Sequence, residues 1–384
     1  MKISLPTFHL EQSDLPTMLN TIGFLLRLVT INIDVNNKKR IPLINYVLVT
    51  IGIVCYFYVY VFSMSWFIFI RTRETRDYET ATVVVSLLLS SLTTVTKMMF
   101  FLFCRKPLQN LVQEYLEYDD SIGPETSFHT HLHKYLPKIK RRVISVWSSI
   151  MFLLLLYVWI PIIKPGRNLP DNSYVIYGLE PTFETPNYEI ALITIIISVT
   201  MGVYAMTCFL TFILIIAGYI EAQMRALSDE ILEIWDGAIK NYEKVDSKFV
   251  NITKDKQLNT FEGLFRVTMA LDFIILMITI VVELFKRIED TYIELIYSFI
   301  QLNVACYMGQ KLLDASDEFE FSVYDCQWEK FDRSNMRMVL MILLNAQKPL
   351  VITAGKITVL DYVCLISVIK STYTIYTTLQ STLS

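Results

Sequence analysis

Small hydroxyl side chains recur at regular intervals near the end of the chain. Intervals of four, three, four and three residues separate Ser367, Ser371, Thr374, Thr378 and Ser381. This spacing places the five hydroxyls on one face of an α-helix. In a membrane, such hydroxyls can replace part of a cation's hydration along an aqueous path. They can also bond to the preceding helical turn or pack against a neighbouring helix, and the pattern leaves both interpretations open.

The helix that must carry these hydroxyls is predicted over residues 357–379. At about 1.5 Å per residue, this apolar segment is long enough to cross a bilayer core of roughly 30 Å. An amphipathic segment, Arg333–Ala346, precedes it and needs a partner surface for its apolar side chains. Pro349 is expected to separate the two helices, because proline disrupts the helical hydrogen-bond ladder.

Several separated motifs stand in a characteristic order near the end of the chain: Cys306-Tyr-Met-Gly309, Ser316, Tyr324, Trp328, Ala346-Gln-Lys-Pro349, Ala354-Gly355 and Lys370-Ser-Thr-Tyr373. Their order and spacing resemble the C-terminal signature of the insect odorant receptor family. About the last eighty residues match closely, and the rest matches only in layout. The resemblance implies a ligand-gated, cation-permeable channel of four subunits, in which a ligand-tuned subunit assembles with a shared coreceptor. It also implies a small volatile ligand and the plasma membrane of a sensory neuron dendrite.

The same resemblance places the pore in the last helix. We expect Ser367, Ser371, Thr374 and Thr378 to face the conduction path, and Tyr376 and Leu379 to lie near a constriction at its outer end. Lys370 is expected at the flank, turned toward an acceptor such as Gln301 or a partner subunit, since a lysine in the path would repel cations.

A ligand pocket is expected in the outer half of the helix bundle, where the family has one. Depth and aromatic character select the wall residues. They are Val84, Leu87, Leu88, Phe152, Leu155, Trp159, Ile197, Met201, Tyr297 and Gln301.

The composition is that of a polytopic α-helical membrane protein. Hydrophobic residues make up 53% of the 384 positions, which is more apolar surface than a soluble core needs. The formal charge of −3 gives no reason to expect a nucleic acid partner. Most of the six cysteines lie in or beside apolar segments, so their spacing predicts no disulfide framework.

Seven apolar segments are predicted to cross the membrane. They cover residues 41–70, 80–103, 143–163, 188–220, 265–285, 291–313 and 357–379. The fourth runs into a segment where Met224, Leu227 and Ile231 recur at helical spacing, so its helix is predicted to continue beyond the membrane.

Lys97, in the second span, is expected to extend its amine to the nearby membrane surface. Asp272, in the fifth, is a functional candidate as an acid within a span, but a pairing with Arg266 or Lys311 is the favoured expectation.

Basic residues set the predicted orientation. Segments 1–40, 105–142 and 221–264 together hold 18 Lys and Arg, whereas the opposite loops hold 7. The positive-inside rule therefore predicts a cytoplasmic N-terminus and an extracellular C-terminus for this all-α seven-helix bundle. We divide the chain into a cytoplasmic N-terminal segment (1–40), a ligand-binding bundle of spans one to four (41–220), a cytoplasmic helical extension (221–264), spans five and six (265–313), a cytoplasmic anchor with the first half of helix seven (314–349), and its pore-lining second half (350–384).

Other function classes fit the sequence less well. The orientation and the missing Asp-Arg-Tyr and Asn-Pro-x-x-Tyr motifs argue against a G-protein-coupled receptor. A gustatory receptor channel is the alternative, but its C-terminal signature is incomplete here, because six residues instead of five separate Thr372-Tyr373 from Gln380 and Ser381 replaces the phenylalanine. A secondary transporter would show paired broken helices. His129, His131 and His133 would converge on a metal only in a strand. We find no catalytic motif and expect neither enzyme activity nor a cofactor.

Overall fold

Long α-helices make up most of the protein in the computed structural model, which describes residues 14–33, 41–170, 174–238, 247–284 and 288–383. The helices are α1 (Leu15–Leu28), α2 (Leu43–Thr75), α3 (Tyr78–Phe103), α4 (Arg105–Ser121), α5 (Ser127–Ile163), α6 (Asn187–Ala238), α7 (Ser247–Glu283), α8 (Ile288–Asp325), α9 (Arg333–Ala346) and α10 (Tyr362–Leu383). A 3₁₀ turn, Trp328–Lys330, and two short strands, β1 (Thr353–Ala354) and β2 (Thr358–Val359), lie between them.

Five of the described helices are long and apolar enough to cross a membrane: α2, α3, α5, α6 and α7. The other two predicted spans fall in α8 and α10. Helix α6 extends to Ala238, as the apolar spacing beyond residue 220 predicts. The histidines of segment 129–133 lie in α5, where the ring centroids of His129 and His133 are 4.2 Å apart and the rings are tilted by 48°. Within the described residues, no group of His, Cys, Asp and Glu is arranged to hold a metal.

Helix α6 is the centre of the bundle. Every residue from 205 to 224 is buried, as expected for a helix that is apolar on all sides. Helices α1, α2, α3, α5 and α8 all pack against it. At its polar end, Glu221 accepts from Arg142 of α5 at 2.5 Å and from Arg225 at 3.2 Å, and Arg225 also pairs with Glu318 of α8. These contacts tie α5, α6 and α8 together outside the apolar core.

A hairpin, rather than a longer helix, connects α9 to α10. The predicted helix start at residue 357 is wrong, because Gly355 and Lys356 both adopt positive φ and form the turn between β1 and β2. Helix α10 begins at Tyr362, where the Asp361 carboxylate accepts from the Cys364 amide at 2.6 Å and caps the first turn. Gly309 of α8 lies so close that a Cβ there would be 1.9 Å from the Leu360 carbonyl oxygen.

A buried ion pair joins α3 to α7. The Lys97 amine lies 3.0 Å from Asp272, and the Thr96 hydroxyl donates to the other carboxylate oxygen at 3.1 Å. Lys97 is only 2% exposed. Both sequence expectations for these residues are therefore wrong: Lys97 does not reach the membrane surface, and Asp272 pairs with neither Arg266 nor Lys311. The two helices pack side by side at this depth, so each charge meets its partner within the bundle instead.

Removing one member of this pair should destabilise the protein strongly. Lys97→Met or Asp272→Asn alone leaves the other group buried without its partner, which typically costs about 3–5 kcal/mol. The double variant Lys97→Met/Asp272→Leu should recover most of that loss. The difference in stability is measured by heating the detergent-solubilised protein and monitoring the remaining folded fraction by size-exclusion chromatography. The exposed pair Arg71–Glu74 provides the control, since Glu74→Gln should change stability by about 1 kcal/mol or less. A double variant as unstable as the two single losses combined would contradict this account.

Candidate functional site

A cavity of about 100 Å³ lies where α2, α3, α5, α6 and α8 meet. Each of the five helices contributes wall residues at helical spacing. They are Tyr56, Tyr60, Leu87, Ser90, Ser91, Thr94, Leu153, Leu154, Tyr157, Val199, Gly202, Val203, Ile293, Glu294 and Tyr297. The wall is mainly apolar and aromatic with a few polar groups, the usual composition of a small-molecule site.

The position of Tyr56 depends on a glycine in α6. A Cβ at residue 202 would lie 2.5 Å from Cε2 of the Tyr56 ring, so only glycine lets the ring approach this closely. The Tyr56 hydroxyl donates to the Ser91 carbonyl at 2.9 Å and so fixes the ring against α3. One turn later, the Tyr60 ring lies 5.1 Å from the Tyr56 ring.

Helix α2 widens beside this cavity. Segments Phe57–Ser63 and Phe67–Arg71 are π-helical. The hydroxyls of Ser63 and Thr72 donate to the carbonyls of the residues five positions earlier, at 2.8 and 3.0 Å. π-Helical turns of this kind occur often at functional sites.

The polar groups of the cavity are unevenly distributed. Ser90, Ser91 and Thr94 of α3 place three hydroxyl-bearing side chains on one side of the cavity. The Ser91 hydroxyl donates to the Leu88 carbonyl of its own helix at 2.7 Å. Glu294 supplies a carboxyl group from α8. Among the described residues that line the cavity, none is Lys, Arg or His. Any formal charge in the wall is therefore negative.

A smaller cavity of about 40 Å³ lies further along α8, beside Lys97 and Asp272. Gln301, one helical turn beyond Tyr297, lines it and is 2% exposed. Neither amide atom of Gln301 has a hydrogen-bond partner within the described residues. Leu360, just before α10, lines the same cavity. Polar groups thus lie between the larger cavity and the start of the last helix.

Three of the ten predicted pocket residues line a cavity. Leu87 and Tyr297 line the larger one, and Gln301 lines the smaller. Val84 and Leu88 pack in the neighbouring apolar cluster around Tyr56. The remaining α6 predictions lie outside the wall: Ile197 is half-buried, and Met201 packs against Gly52 of α2.

Helix α5 presents a different face to the cavity from the one predicted. Phe152, Leu155 and Trp159 are 60%, 55% and 56% exposed, so they lie on the outside of the bundle. The wall residues from this helix are Leu153, Leu154 and Tyr157. The two sets have the same apolar character and are offset by only one or two positions, which rotates them to another face.

Sequence reasoning missed Tyr56, Tyr60, Tyr157 and Glu294. Glu294 carried a usable signal, because an acid inside a predicted span is a functional candidate by default. The three tyrosines carried no such signal in the sequence, since aromatic residues are frequent throughout the apolar segments.

The hydroxyl face of α10 is exposed. Ser367, Ser371, Thr374 and Thr378 are all exposed, and Tyr376 is half-buried. The side chain of Leu379 lies outside the described residues. Lys370 is exposed and makes no bond to Gln301.

Several of these hydroxyls also donate within their own helix. Thr374 donates to the Lys370 carbonyl at 2.9 Å, and Thr378 donates to the Thr374 carbonyl at 2.8 Å. Among the described side chains of α10, the buried ones are Cys364, Val368 and Thr372, which form a narrow stripe against the bundle. The hydroxyl oxygens remain accessible on the other side.

The chain resembles known proteins in both family and fold. The family model described as 7tm Odorant receptor matches residues 77–373. The structure of the insect olfactory receptor OR5 from Machilis hrabei has a TM-score of 0.75 and 15% identity, covering 95% of this chain and 98% of that one. The structure of the same receptor in complex with eugenol has a TM-score of 0.77 and 13% identity, covering 96% of this chain and 98% of that one. Curated protein sequences gave no significant match.

The extent of these matches decides the assignment. The family model covers well over half of the chain, and the structural likeness extends over nearly all of it. The structural likeness confirms the predicted all-α, seven-transmembrane fold. The chain belongs to the seven-transmembrane odorant receptor family.

Proposed function

We propose that this protein is the ligand-tuned subunit of an odorant-gated, non-selective cation channel. The observation that carries the proposal is the mainly apolar cavity lined by α2, α3, α5, α6 and α8, in a chain that belongs to an odorant receptor family. The eugenol complex of the Machilis hrabei receptor supports a small organic ligand by analogy. The odorant receptor match also favours this function over the gustatory alternative.

The small apolar surface of a volatile ligand limits its affinity for the cavity. Burial of roughly 300 Å² of a small volatile molecule, at about 25 cal/mol/Å², gives at most about 7–8 kcal/mol before the costs of binding. Affinity should therefore be micromolar or weaker. One methylene changes the binding free energy by only about 1–3 kcal/mol, so selectivity for chain length should be graded.

Exposed surfaces on α8, α9 and α10 support assembly with other subunits. Leu340, Met341 and Leu344 of α9 are more than half exposed, as are Phe321 and Tyr324 of α8. Large apolar patches of this kind mark interaction sites. We assign this region to the intersubunit anchor and propose a hetero-tetramer with a shared coreceptor in the dendritic plasma membrane. The α10 hydroxyls would then face a path shared by the subunits.

The cavity assignment predicts different effects for two neighbouring aromatic residues of α5. Tyr157→Ala removes part of the wall and should raise the half-maximal odorant concentration by about tenfold, since a lost aromatic contact is worth about 1–2 kcal/mol or more. Trp159→Ala, on the outer face, should leave it unchanged. Odorant-evoked current in cells that also express the coreceptor is the measurement, with surface expression as control. Equal effects of the two changes would refute the assignment.

The orientation predicts which loops are accessible from outside the cell. A tag at residue 2 should stain only after permeabilisation, and a tag at residue 172 should stain in intact cells, because basic residues concentrate on the side of the N-terminus. Both tagged proteins must still give odorant-evoked current. Surface staining of the residue 2 tag would reverse the proposed topology.

The pore assignment predicts a pattern of cysteine accessibility along α10. Cysteine at 371, 374 or 378 should allow a water-soluble thiol reagent to block current during odorant application, because these hydroxyls share the exposed face. Cysteine at Ile369, exposed on the opposite side, and at buried Val368 should not. The unsubstituted protein controls for its own cysteines. Uniform accessibility, or none at any position, would remove α10 from the pore.

A further inference from the structure

A further cavity, of about 130 Å³, lies between α5 and α6. Its described wall shares no residue with the larger cavity of the candidate site. The wall residues are Tyr135, Lys138, Ile139, Arg142, Glu221, Ala222 and Arg225. We propose that this cavity binds a phosphate monoester, and that the headgroup of an anionic lipid supplies it. The proposal concerns a second site and stands apart from odorant binding.

The cavity lies where the apolar parts of both helices end. In α5, the basic run of residues 138–142 directly precedes the apolar segment 143–163. In α6, Glu221 directly follows the apolar segment 188–220. The two helices are closely packed at this level, since a Cβ at Gly218 would be 2.6 Å from Cγ2 of Ile139. Side chains at the end of an apolar span lie at the depth of the lipid headgroups.

Positive charge exceeds negative charge around the cavity. Lys138, Arg142 and Arg225 supply three cations to the wall, and Glu221 supplies one carboxylate. Glu318 of α8 pairs with Arg225 and adds a second carboxylate beside the wall. Three cations against two carboxylates leave one positive charge, so the cavity attracts an anion.

One buried carboxylate holds the two arginines beside each other. Glu221, whose side chain is 6% exposed, accepts from Nη1 of Arg142 at 2.5 Å and from Nε of Arg225 at 3.2 Å. A guanidinium group carries five N–H donors, so both arginines keep donors beyond these ion pairs. Arginine donors match the geometry of phosphate oxygens and bind them in pairs. The arrangement therefore has fixed donors ready for a phosphate group.

Lys138 supplies a mobile charge at the rim. The side chain is exposed, and its amine lies 5.3 Å from the centroid of the Tyr135 ring. Lys134, one turn earlier, pairs instead with Asp229 at 2.8 Å. The Lys138 amine can therefore turn toward an anion in the cavity without breaking a buried contact.

Size and charge favour a phosphate monoester over a smaller or less charged anion. A water molecule takes up about 30 Å³ in the liquid, so the cavity has room for a group of several atoms. A phosphate monoester carries about −1.5 to −2 charge at pH 7 and three acceptor oxygens, which suit three basic side chains. Basic pockets between membrane helices on the cytoplasmic side bind lipid headgroups of this kind. In the proposed orientation, this cavity faces that side.

The experiment measures lipid binding to the purified chain in a neutral maltoside detergent by microscale thermophoresis. Dioctanoyl phosphatidylinositol 4-phosphate carries one phosphate monoester, whereas dioctanoyl phosphatidylinositol has only the phosphodiester. The first lipid should bind about tenfold or more tightly than the second, because it adds charge-assisted hydrogen bonds. Equal binding of the two lipids, or no binding of either, would overturn the phosphate site.

The soluble headgroup inositol 1,4-bisphosphate identifies the source of the phosphate. The lipid should bind more tightly than this free headgroup, since its acyl chains can also contact the apolar surface next to the cavity. If the free headgroup binds as tightly as the lipid, the lipid source is wrong and the site takes a soluble phosphate ester.

Two neighbouring bases of α5 separate the cavity from general surface attraction. Lys138→Gln should weaken binding of the monophosphate lipid about fivefold, and Lys138→Arg should retain it. Arg141→Gln is the matched control, because Arg141 is exposed on the same turn but absent from the described cavity wall. It should change the affinity by less than about twofold. Equal losses in Lys138→Gln and Arg141→Gln would overturn the cavity site in favour of diffuse surface charge. None of these results depends on odorant-evoked current, so they leave the proposed function to its own tests.

Discussion

The pairing of Lys97 with Asp272 constrains the whole bundle. Neither group can remain charged and alone in an apolar interior, so α3 and α7 must bring them to the same depth and face. That register also places Phe100 of α3 against Phe265 of α7, with ring centroids 5.0 Å apart, and both rings contact Phe209 of the central helix. Two helices far apart in sequence are thereby fixed to α6, and Lys97, Asp272 and Phe209 also form part of the wall of the smaller cavity.

The sequence predicted the elements well and the contacts between them poorly. Unbroken apolar length located the spans, and helical spacing predicted the extension of α6, because both signals are local. The partner of Asp272 depends on how helices pack, so local reasoning chose Arg266 or Lys311 from the expected depth alone. The start of α10 was missed for another local reason: the apolar residues of segment 357–361 resemble a helix, whereas the positive φ at Gly355 and the Asp361 cap place them in a hairpin and its exit.

The cavity wall was only partly predictable because a membrane removes the usual contrast between inside and outside. In a soluble protein, polar residues mark the exposed face of a helix. Here the lipid-facing and cavity-facing sides of α5 are both apolar, since lipid tails are as apolar as leucine. Trp159 and Tyr157 therefore carry equal weight in the sequence, and only packing separates them. Polar residues inside spans are the better guide, as Gln301 and Glu294 show.

The route from the cavity to α10 is short, and its energetics limit how the proposed channel can work. Tyr297 and Gln301 lie one turn apart on α8, Gln301 and Leu360 line the same small cavity, and Gly309 of α8 touches the Leu360 carbonyl. A ligand shifts such an arrangement only by its difference in affinity between the closed and open states. Moving an equilibrium from about 1:99 to 99:1 requires roughly 5.5 kcal/mol of that difference. A ligand limited to about 7–8 kcal/mol in total can supply it only if most of its contacts exist in the open state alone. Two outcomes are therefore consistent with this limit. Either the free energy of the closed state is only slightly lower than that of the open state, or the small ligand opens only a fraction of the channels.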